Sequence, residues 1–307
     1  MEPAPIALFV FRRPEHTRRT LEYLRRNEGA ATSPLHVFCD GPRNAAERPA
    51  VEEVRRIVRA AEGFASLELQ ESESNRGLAA SIIAGVDEMI RRYGRVIVLE
   101  DDMECAPYFL RFMNEGLTRF RDDDRIAAIH GYTTPMPETV PECFLRPGAD
   151  CWGWATWERG WNLFNPDSTA LLAELKARDL LPAFNRNGAF PYSRMLADQA
   201  EGKIDSWAIR WYASVFLAGK SMLQSGRPLI RNIGADGSGR HCGSERGESF
   251  LLWPDPVSIP EHPAPENAVS YRIFRASLER WRIPFFRRVT GKLRYEFRRR
   301  FFGKKNE

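Results

Sequence analysis

The sequence lacks any apolar run of the roughly 20 residues that a membrane-spanning helix requires. Its first residues, Met1 to Pro5, also lack the basic start and apolar stretch of a secretory signal. A hydrophobic content of 43% excludes the composition of an intrinsically disordered chain. We therefore expect a folded cytoplasmic protein without an integral membrane segment.

Cysteine is scarce, and no C-x-x-C pair occurs. The five cysteines are odd in number and widely scattered, a pattern that suggests neither a zinc knuckle nor a disulfide framework. They are Cys39, Cys105, Cys143, Cys151 and Cys242. We interpret them as mostly reduced, small apolar side chains.

Charge is unevenly distributed along the chain. The net charge is +4, but residues 270–307 contain 13 Lys and Arg against three acidic residues, which leaves −6 for the rest. Aromatic rings alternate with these cations, so we predict a basic aromatic tail over residues 266–307. Such a tail suits the surface of an anionic membrane, on whose inner face the protein would be peripheral. A solvated tail without a partner remains open, and no nucleic acid is expected because no recognised binding module accompanies the charge.

Short apolar runs alternate with helical patterns through the first hundred residues. The predicted strands are Ile6–Phe11, Leu35–Cys39, Leu67–Leu69 and Arg95–Leu99. This alternation predicts an α/β fold, with a mostly parallel central sheet flanked by helices. Ligands of such sheets bind beyond the carboxyl ends of the strands. Polar residues stand at those ends, namely Arg13, Asp40, Asn75, Glu100, Asp101 and Asp102.

The second half of the chain has weaker signals. Its predicted elements are helices at Pro107–Phe120, Pro166–Asn187 and Trp207–Ala218, and strands at Ile126–Ile129 and Pro228–Ile230. We predict one domain over residues 1–265, with a nucleotide-binding half (1–103) and an acceptor and sugar half (104–265).

The acidic triplet Glu100–Asp102 follows a buried apolar run directly. Clustered carboxylates repel each other and raise each other's pKa, and a hard divalent ion such as Mg²⁺ or Mn²⁺ relieves that repulsion. Such an ion also holds a diphosphate and acts on it as a Lewis acid. A solvated acidic loop is the alternative. Asp122–Asp124 follows a predicted helix instead and is interpreted as a turn.

Val98–Asp102, followed by Ala106–Phe109, resembles the metal-binding region of the N-acetylglucosaminyltransferase I family. The resemblance extends over about residues 5–245 and includes related bacterial sugar transferases. It implies a GT-A fold and an inverting, metal-dependent glycosyltransferase that uses a nucleotide-sugar donor, expected to be UDP-linked. The acceptor would be a glycan or a lipid-linked hydroxyl.

The resemblance also implies roles for individual residues. Asp102 matches the direct metal ligand, while Glu100 and Asp101 match positions that face the ribose and the metal's water. Arg13 and Asp40 resemble positions that hold the nucleotide base. The other matches are Asn75 and Gly77 in a donor-facing loop, Asp205 as catalytic base, Trp154 in the sugar pocket, Arg240 as a cation over the diphosphate, and His241 as a metal ligand.

Each of these matches has a simpler structural interpretation. Asp40 fits a turn, and Arg13 fits a solvated surface charge. Asn75 and Asp205 both suit helix capping. The aromatic run around Trp154 fits a core, and the glycine-rich segment 237–241 fits a surface loop.

Two other function classes remain open. A sugar nucleotidyltransferase would carry a glycine-rich loop after its first strand, where this chain has Phe11–Pro14. A degenerate transferase that serves as a glycan- or membrane-binding scaffold is consistent with Ser206, which stands where the family has a second acid. A phosphatase of the haloacid dehalogenase type is disfavoured, because Asp40 lacks an acidic partner two residues away.

Overall fold

The computed structural model describes residues 2–236 and 250–280. In chain order, the first half contains β1 (Ile6–Val10), α1 (Pro14–Arg25), β2 (Pro34–Cys39), α2 (Arg48–Arg59), β3 (Ser66–Glu71), α3 (Leu78–Tyr93), β4 (Arg95–Glu100), β5 (Met103–Cys105) and α4 (Phe109–Arg119). The second half contains β6 (Ile126–His130), β7 (Cys143–Pro147), β8 (Trp154–Trp157), α5 (Glu158–Trp161), α6 (Ser168–Ala177), α7 (Leu181–Phe184), α8 (Tyr192–Ala200), α9 (Trp207–Leu217), β9 (Ser221–Ser225), β10 (Ile230–Asn232) and a helix over residues 268–280, here α10.

Eight strands form one central sheet in the order β3-β2-β1-β4-β8-β6-β9-β7. The four strands predicted in the first hundred residues are parallel to one another, as expected. Beyond them, β8 runs antiparallel to both β4 and β6, and β7 runs antiparallel to β9. The predicted α/β class with a mostly parallel sheet is confirmed, with antiparallel strands on one side.

The register of the strands creates one polar rim. Val10 pairs with Cys39, and Phe9 pairs with Glu100, so β1, β2 and β4 end at the same edge. His130, the last residue of β6, pairs with Trp154, the first residue of β8. We call this edge the carboxyl rim. The segments that leave it carry most of the predicted site residues.

Two boundaries differ from the sequence predictions for local reasons. The predicted helix Pro166–Asn187 is divided into α6 and α7, because Asp179 adopts a positive φ of 50° that stops the first helix. The predicted strand Pro228–Ile230 instead begins at Ile230 and pairs antiparallel with β5, which follows the acidic triplet directly.

Two hydrophobic cores cover the faces of the sheet, and a third lies under α6 to α9. The second core contains a group of indole rings, with Trp154 5.4 Å from Trp207 and 5.6 Å from Trp211 between ring centroids. No disulfide joins cysteines within the described residues. In the same part of the chain, no helix is both long and apolar enough to cross a membrane.

Helix α10 packs against the sheet domain. The backbone N–H of Glu266 donates to Leu145 O at 2.8 Å, and the Glu266 carboxylate pairs with Arg186. The buried ring of Phe274 lies 3.8 Å from the Arg146 guanidinium carbon. Residues 266–280 therefore belong to the packed body, although the tail was predicted to begin at residue 266.

Candidate active site

The acidic triplet ends β4 with Glu100 and forms the tight turn to β5 with Asp101 and Asp102. Asp101 is 4% exposed and Asp102 is 6% exposed. Their backbone is fixed from both sides, because Thr20 Oγ1 donates to Asp101 O at 2.8 Å and Ile233 N donates to Asp102 O at 2.9 Å. These carboxylates are therefore held at the carboxyl rim, whereas a solvated loop would leave them exposed.

Arg13 is the cation that faces the triplet. It precedes α1, and its guanidinium binds both oxygens of Asp101, with Nε 3.3 Å from Oδ2. The same guanidinium lies 2.9 Å from Asp102 Oδ2. Arg13 is thus not a solvated surface charge. Its predicted contact with the nucleotide base remains a prediction.

One carboxylate oxygen of Asp101 and Asp102 is not bound by Arg13. Asp102 Oδ1 is buried and has no hydrogen-bond partner among the described residues. Burial raises the pKa of Asp102, and the charge of Asp101 adds to this effect while Arg13 opposes it. An ionised oxygen without a donor is costly to bury, and it is the kind of ligand that Mg²⁺ and Mn²⁺ prefer. The residues present therefore fit a divalent ion at Asp102.

The described residues do not form a complete metal cage. Within residues 2–236 and 250–280, no three His, Cys, Asp or Glu side chains are grouped as metal ligands. Arg240 and His241, the predicted phosphate and metal contacts, lie outside the described residues. Further ligands would have to come from the donor diphosphate and water, as is usual for Mg²⁺ at phosphate sites.

Glu100 provides a pH-dependent signature of the triplet. Burial, with the charges of Asp102 and Asp101, raises its pKa from 4.5 to about 8. Between about pH 4.5 and about pH 8, Glu100 therefore keeps a proton in the folded protein that it has released in the unfolded chain. We expect the free energy of unfolding, measured without metal, to fall as the pH rises from about 4.5 to about 8.

Glu100→Gln removes this titration. In urea denaturation at about pH 5.5 and about pH 8.5, the free energy of unfolding of the variant should therefore change less with pH than that of the wild type. Parallel curves for the two proteins would contradict the assignment.

Asp40 organises the loop before α3. Its Oδ1 accepts hydrogen bonds from the backbone of Gly41 (2.9 Å) and Arg76 (2.8 Å). Its Oδ2 accepts from Asn75 Nδ2 (2.8 Å) and from the backbone of Gly77 (3.0 Å). A carboxylate offers about four acceptor positions, so these contacts use its full capacity. Asp40 therefore shapes the donor-facing loop from within, and its contact with a base remains a prediction.

The same loop approaches the predicted catalytic base. Gly77 has a φ of 84°, which favours glycine, and a Cβ built on it would lie 3.9 Å from Asp205 Oδ2. Gly77, not Asn75, occupies the N-cap position of α3, so the capping interpretation of Asn75 is wrong. Loop 75–77 therefore joins Asp40 to Asp205 across the rim.

The N-cap of α9 is Ser206, so the capping interpretation of Asp205 is also wrong. Ser206 Oγ accepts a hydrogen bond from Ile209 N at 3.4 Å. The Asp205 side chain is 54% exposed, with Arg210 Nη2 3.6 Å from its Oδ1. Because Ser206 supplies the cap, the carboxylate of Asp205 is not used to cap α9.

The placement of Trp154 does not support a role in sugar binding. Its side chain is 0% exposed within the tryptophan group of the second core, so no ring surface is open to a ligand. Trp152, two residues earlier, is partly exposed and meets the ring of Tyr132 edge-on at 4.7 Å. Trp152 precedes β8, and Gly153 between the two rings has a positive φ of 64°, so the rings do not follow strand alternation; the sequence analysis selected the buried one.

Two polar residues near the triplet, His16 and Glu104, were missed. His16, one turn after Arg13 on α1, lies 3.2 Å from Asp236 Oδ2. Glu104 is fully buried in β5 between the guanidinium groups of Arg19 and Arg231. This clamp holds α1 and β10 against the strand that follows the triplet. Glu104, two residues after the triplet, was visible in the sequence as an acid, but its distant partners were not.

Comparisons with known proteins give fold-level similarity. No protein-family model matches the chain, and no curated protein matches it. The chain resembles TarS from S. aureus at 12% identity and a TM-score of 0.37, covering 74% of this chain and 36% of TarS. It also resembles S. aureus TarS 1-349 in complex with UDP-GlcNAc (10% identity, TM-score 0.40, 74% of this chain and 57% of that one).

A third similar structure is the mannosyltransferase PcManGT from Pyrobaculum calidifontis in complex with GDP-Man and Mn²⁺. It has 12% identity and a TM-score of 0.39, covering 71% of this chain and 70% of that one. The chain thus spans little more than a third of the length of full TarS. Similarity at these identities and TM-scores assigns neither a function nor site residues to this chain.

Proposed function

We propose that the chain is a metal-dependent, inverting glycosyltransferase of GT-A type, which moves a sugar from a nucleotide-diphosphate sugar to a hydroxyl of a glycan or lipid-linked acceptor. The observation that carries this proposal is the buried acidic turn at the tip of β4. There, Asp102 Oδ1 lacks a partner among the described residues, while Arg13 holds the neighbouring oxygens. The sequence resemblance around Val98–Asp102 supports the same assignment.

The donor would bind at the carboxyl rim with its diphosphate beside the triplet. Asp102 would hold Mn²⁺ or Mg²⁺, which when bound supplies Lewis-acid stabilisation of the departing nucleoside diphosphate. Arg13 can pair with phosphate oxygens through its planar guanidinium. Loop 75–77, fixed by Asp40, would place backbone against the nucleotide half. A uridine base remains our expectation.

Asp205 would act as the general base. Its exposed carboxylate would accept the proton of the acceptor hydroxyl while that oxygen attacks the anomeric carbon and the bond to the diphosphate breaks. Ser206 caps α9 in its place, and Gly77 lies beside its carboxylate. This arrangement disfavours the scaffold alternative, since the Asp205 carboxylate lies exposed at the rim and is not used as the helix cap. Asp205 and Trp152 would face the acceptor and sugar side.

A panel of UDP-, GDP- and dTDP-sugars tests the proposal. Thermal unfolding with Mn²⁺ should identify one donor class, because a ligand at 100 times its Kd adds about 2.7 kcal/mol to the stability of the native state. That donor should then be hydrolysed or transferred in an Mn²⁺-dependent reaction that EDTA stops.

Pyrophosphate release from a nucleoside triphosphate and a sugar phosphate would instead identify a nucleotidyltransferase. Stability that no donor changes, with no turnover, would contradict the proposal.

A further inference from the structure

We infer that Arg13 is a tethered cation that couples metal binding to donor binding: it holds the acidic triplet until a diphosphate draws it away. This inference rests on the proposed function and adds an order of events to it. The inference is based on the contacts that the Arg13 guanidinium makes. Three of the four carboxylate oxygens of Asp101 and Asp102 face this one guanidinium.

While Arg13 stays in place, it occupies most of the carboxylate oxygens that could bind a metal ion. Of the two aspartates, only Asp102 Oδ1 has no partner among the described residues. The bound guanidinium also carries a positive charge, which repels a divalent ion across a buried, weakly screened distance. The triplet should therefore bind Mn²⁺ weakly in the absence of a donor.

A diphosphate reverses both effects. Its oxygens offer Arg13 a bidentate partner with a charge at least equal to that of the aspartates it leaves. They also supply the additional oxygen ligands that a small divalent ion requires. Movement of Arg13 to the diphosphate would free oxygens of Asp101 and Asp102, so each ligand would strengthen the binding of the other. Thermodynamic linkage requires the factor to be the same in both directions.

The surroundings allow Arg13 to move without loss of the turn. The backbone of the triplet is fixed by Thr20 and Ile233, neither of which depends on the guanidinium. Gly234 passes directly over Asp102 Oδ2, and a Cβ there would overlap that oxygen. The carboxylates are thus positioned by backbone contacts, while Arg13 supplies the charge.

The test measures Mn²⁺ binding by calorimetry, with and without UDP or GDP, in three proteins. They are the wild type, Arg13→Gln and Arg12→Gln. Glutamine keeps a hydrogen-bond donor at position 13 but removes the charge. Arg12 is the matched control, because it is adjacent and more exposed, and pairs with Glu47 at 3.2 Å instead of the triplet.

For the wild type we expect the nucleotide to tighten Mn²⁺ binding by at least about 100-fold. In Arg13→Gln, binding of Mn²⁺ alone should become at least about tenfold tighter, and the coupling factor should fall by at least the same amount. Arg12→Gln should match the wild type within about twofold. Thermal unfolding should show that metal-free Arg13→Gln is less stable than the wild type and that Mn²⁺ restores more of its stability.

Two results would overturn the inference separately from the proposed function. If the nucleotide binds with Mn²⁺ but Arg13→Gln binds Mn²⁺ alone no more tightly than the wild type, Arg13 does not compete and the inference fails while the proposed function stands. If no nucleoside diphosphate binds the wild type in the presence of Mn²⁺, the proposed function fails and the coupling fails with it.

Discussion

Asp102→Asn is expected to weaken Mn²⁺ binding in the presence of donor nucleotide by at least about 100-fold, and to lower kcat/KM in the same proportion at limiting metal. Loss of groups that merely support a ligand already costs about 10- to 100-fold in metal affinity, so loss of the ligand's charge should cost no less. The exchange keeps the shape of the side chain, and the turn retains its backbone bonds from Thr20 and Ile233.

The matched control is Asp122→Asn, the same exchange at an exposed acid of the second acidic triplet (Asp122–Asp124), which pairs with Arg121. It should leave metal affinity and turnover unchanged. Calorimetry and Mn²⁺ titration of the transfer rate give both values. Metal affinity in Asp102→Asn within about threefold of the wild type would reject Asp102 as the ligand.

Asp205→Asn is expected to reduce kcat by about 10²- to 10⁴-fold, the usual contribution of a general base, while the affinity for the donor stays the same. The amide cannot take up the proton of the acceptor hydroxyl. Stability should change little, because Ser206 and not Asp205 caps α9. Steady-state kinetics with the identified donor, combined with nucleotide binding, separates the loss of chemistry from a loss of binding.

Two controls accompany this prediction. Asp167→Asn makes the same exchange at the N-cap of α6 and should leave kcat unchanged. Ser206→Ala should lower the free energy of unfolding by about 1 kcal/mol, the usual value for a lost cap. If Asp205→Asn instead lost stability and kept its kcat, the residue would be structural.

The first half of the fold was predictable because its signals are local. Each of β1, β2 and β4 is a short buried run, and a parallel sheet brings the polar residues after such runs to one edge. The acidic triplet begins at the last residue of β4, directly after its buried apolar run. Its burial and its contact with Arg13 are consistent with the expectation that a cation would meet it.

The second half depends on contacts that the sequence does not encode locally. β8 is only four residues long, within an aromatic and glycine-punctuated segment, so neither its direction nor the inward orientation of Trp154 could be read from periodicity. In the clamp, Glu104 pairs with Arg19, which lies 85 positions earlier in the chain, and with Arg231, which lies 127 positions later. Such pairs become visible only when the fold brings them together.

The helix starts illustrate a finer limit. Asp205 and Ser206 are both good N-cap residues, and only the backbone decides which of them occupies that position. Likewise, Asp40 after β2 suited either a turn or a ligand contact, and its hydrogen bonds to loop 75–77 depend on the packing of α3. The residue type limits the roles that a side chain can have, and its position in the fold decides which of those roles it takes.

The most direct test of the metal site is a crystal structure of the protein with Mn²⁺ and a nucleoside diphosphate, in which anomalous scattering locates the ion. We predict a single strong peak at about 2.1–2.4 Å from Asp102 Oδ1 that also contacts diphosphate oxygens. A nucleotide bound at the carboxyl rim without an anomalous peak at the acidic triplet, or with Mn²⁺ elsewhere, would contradict the account.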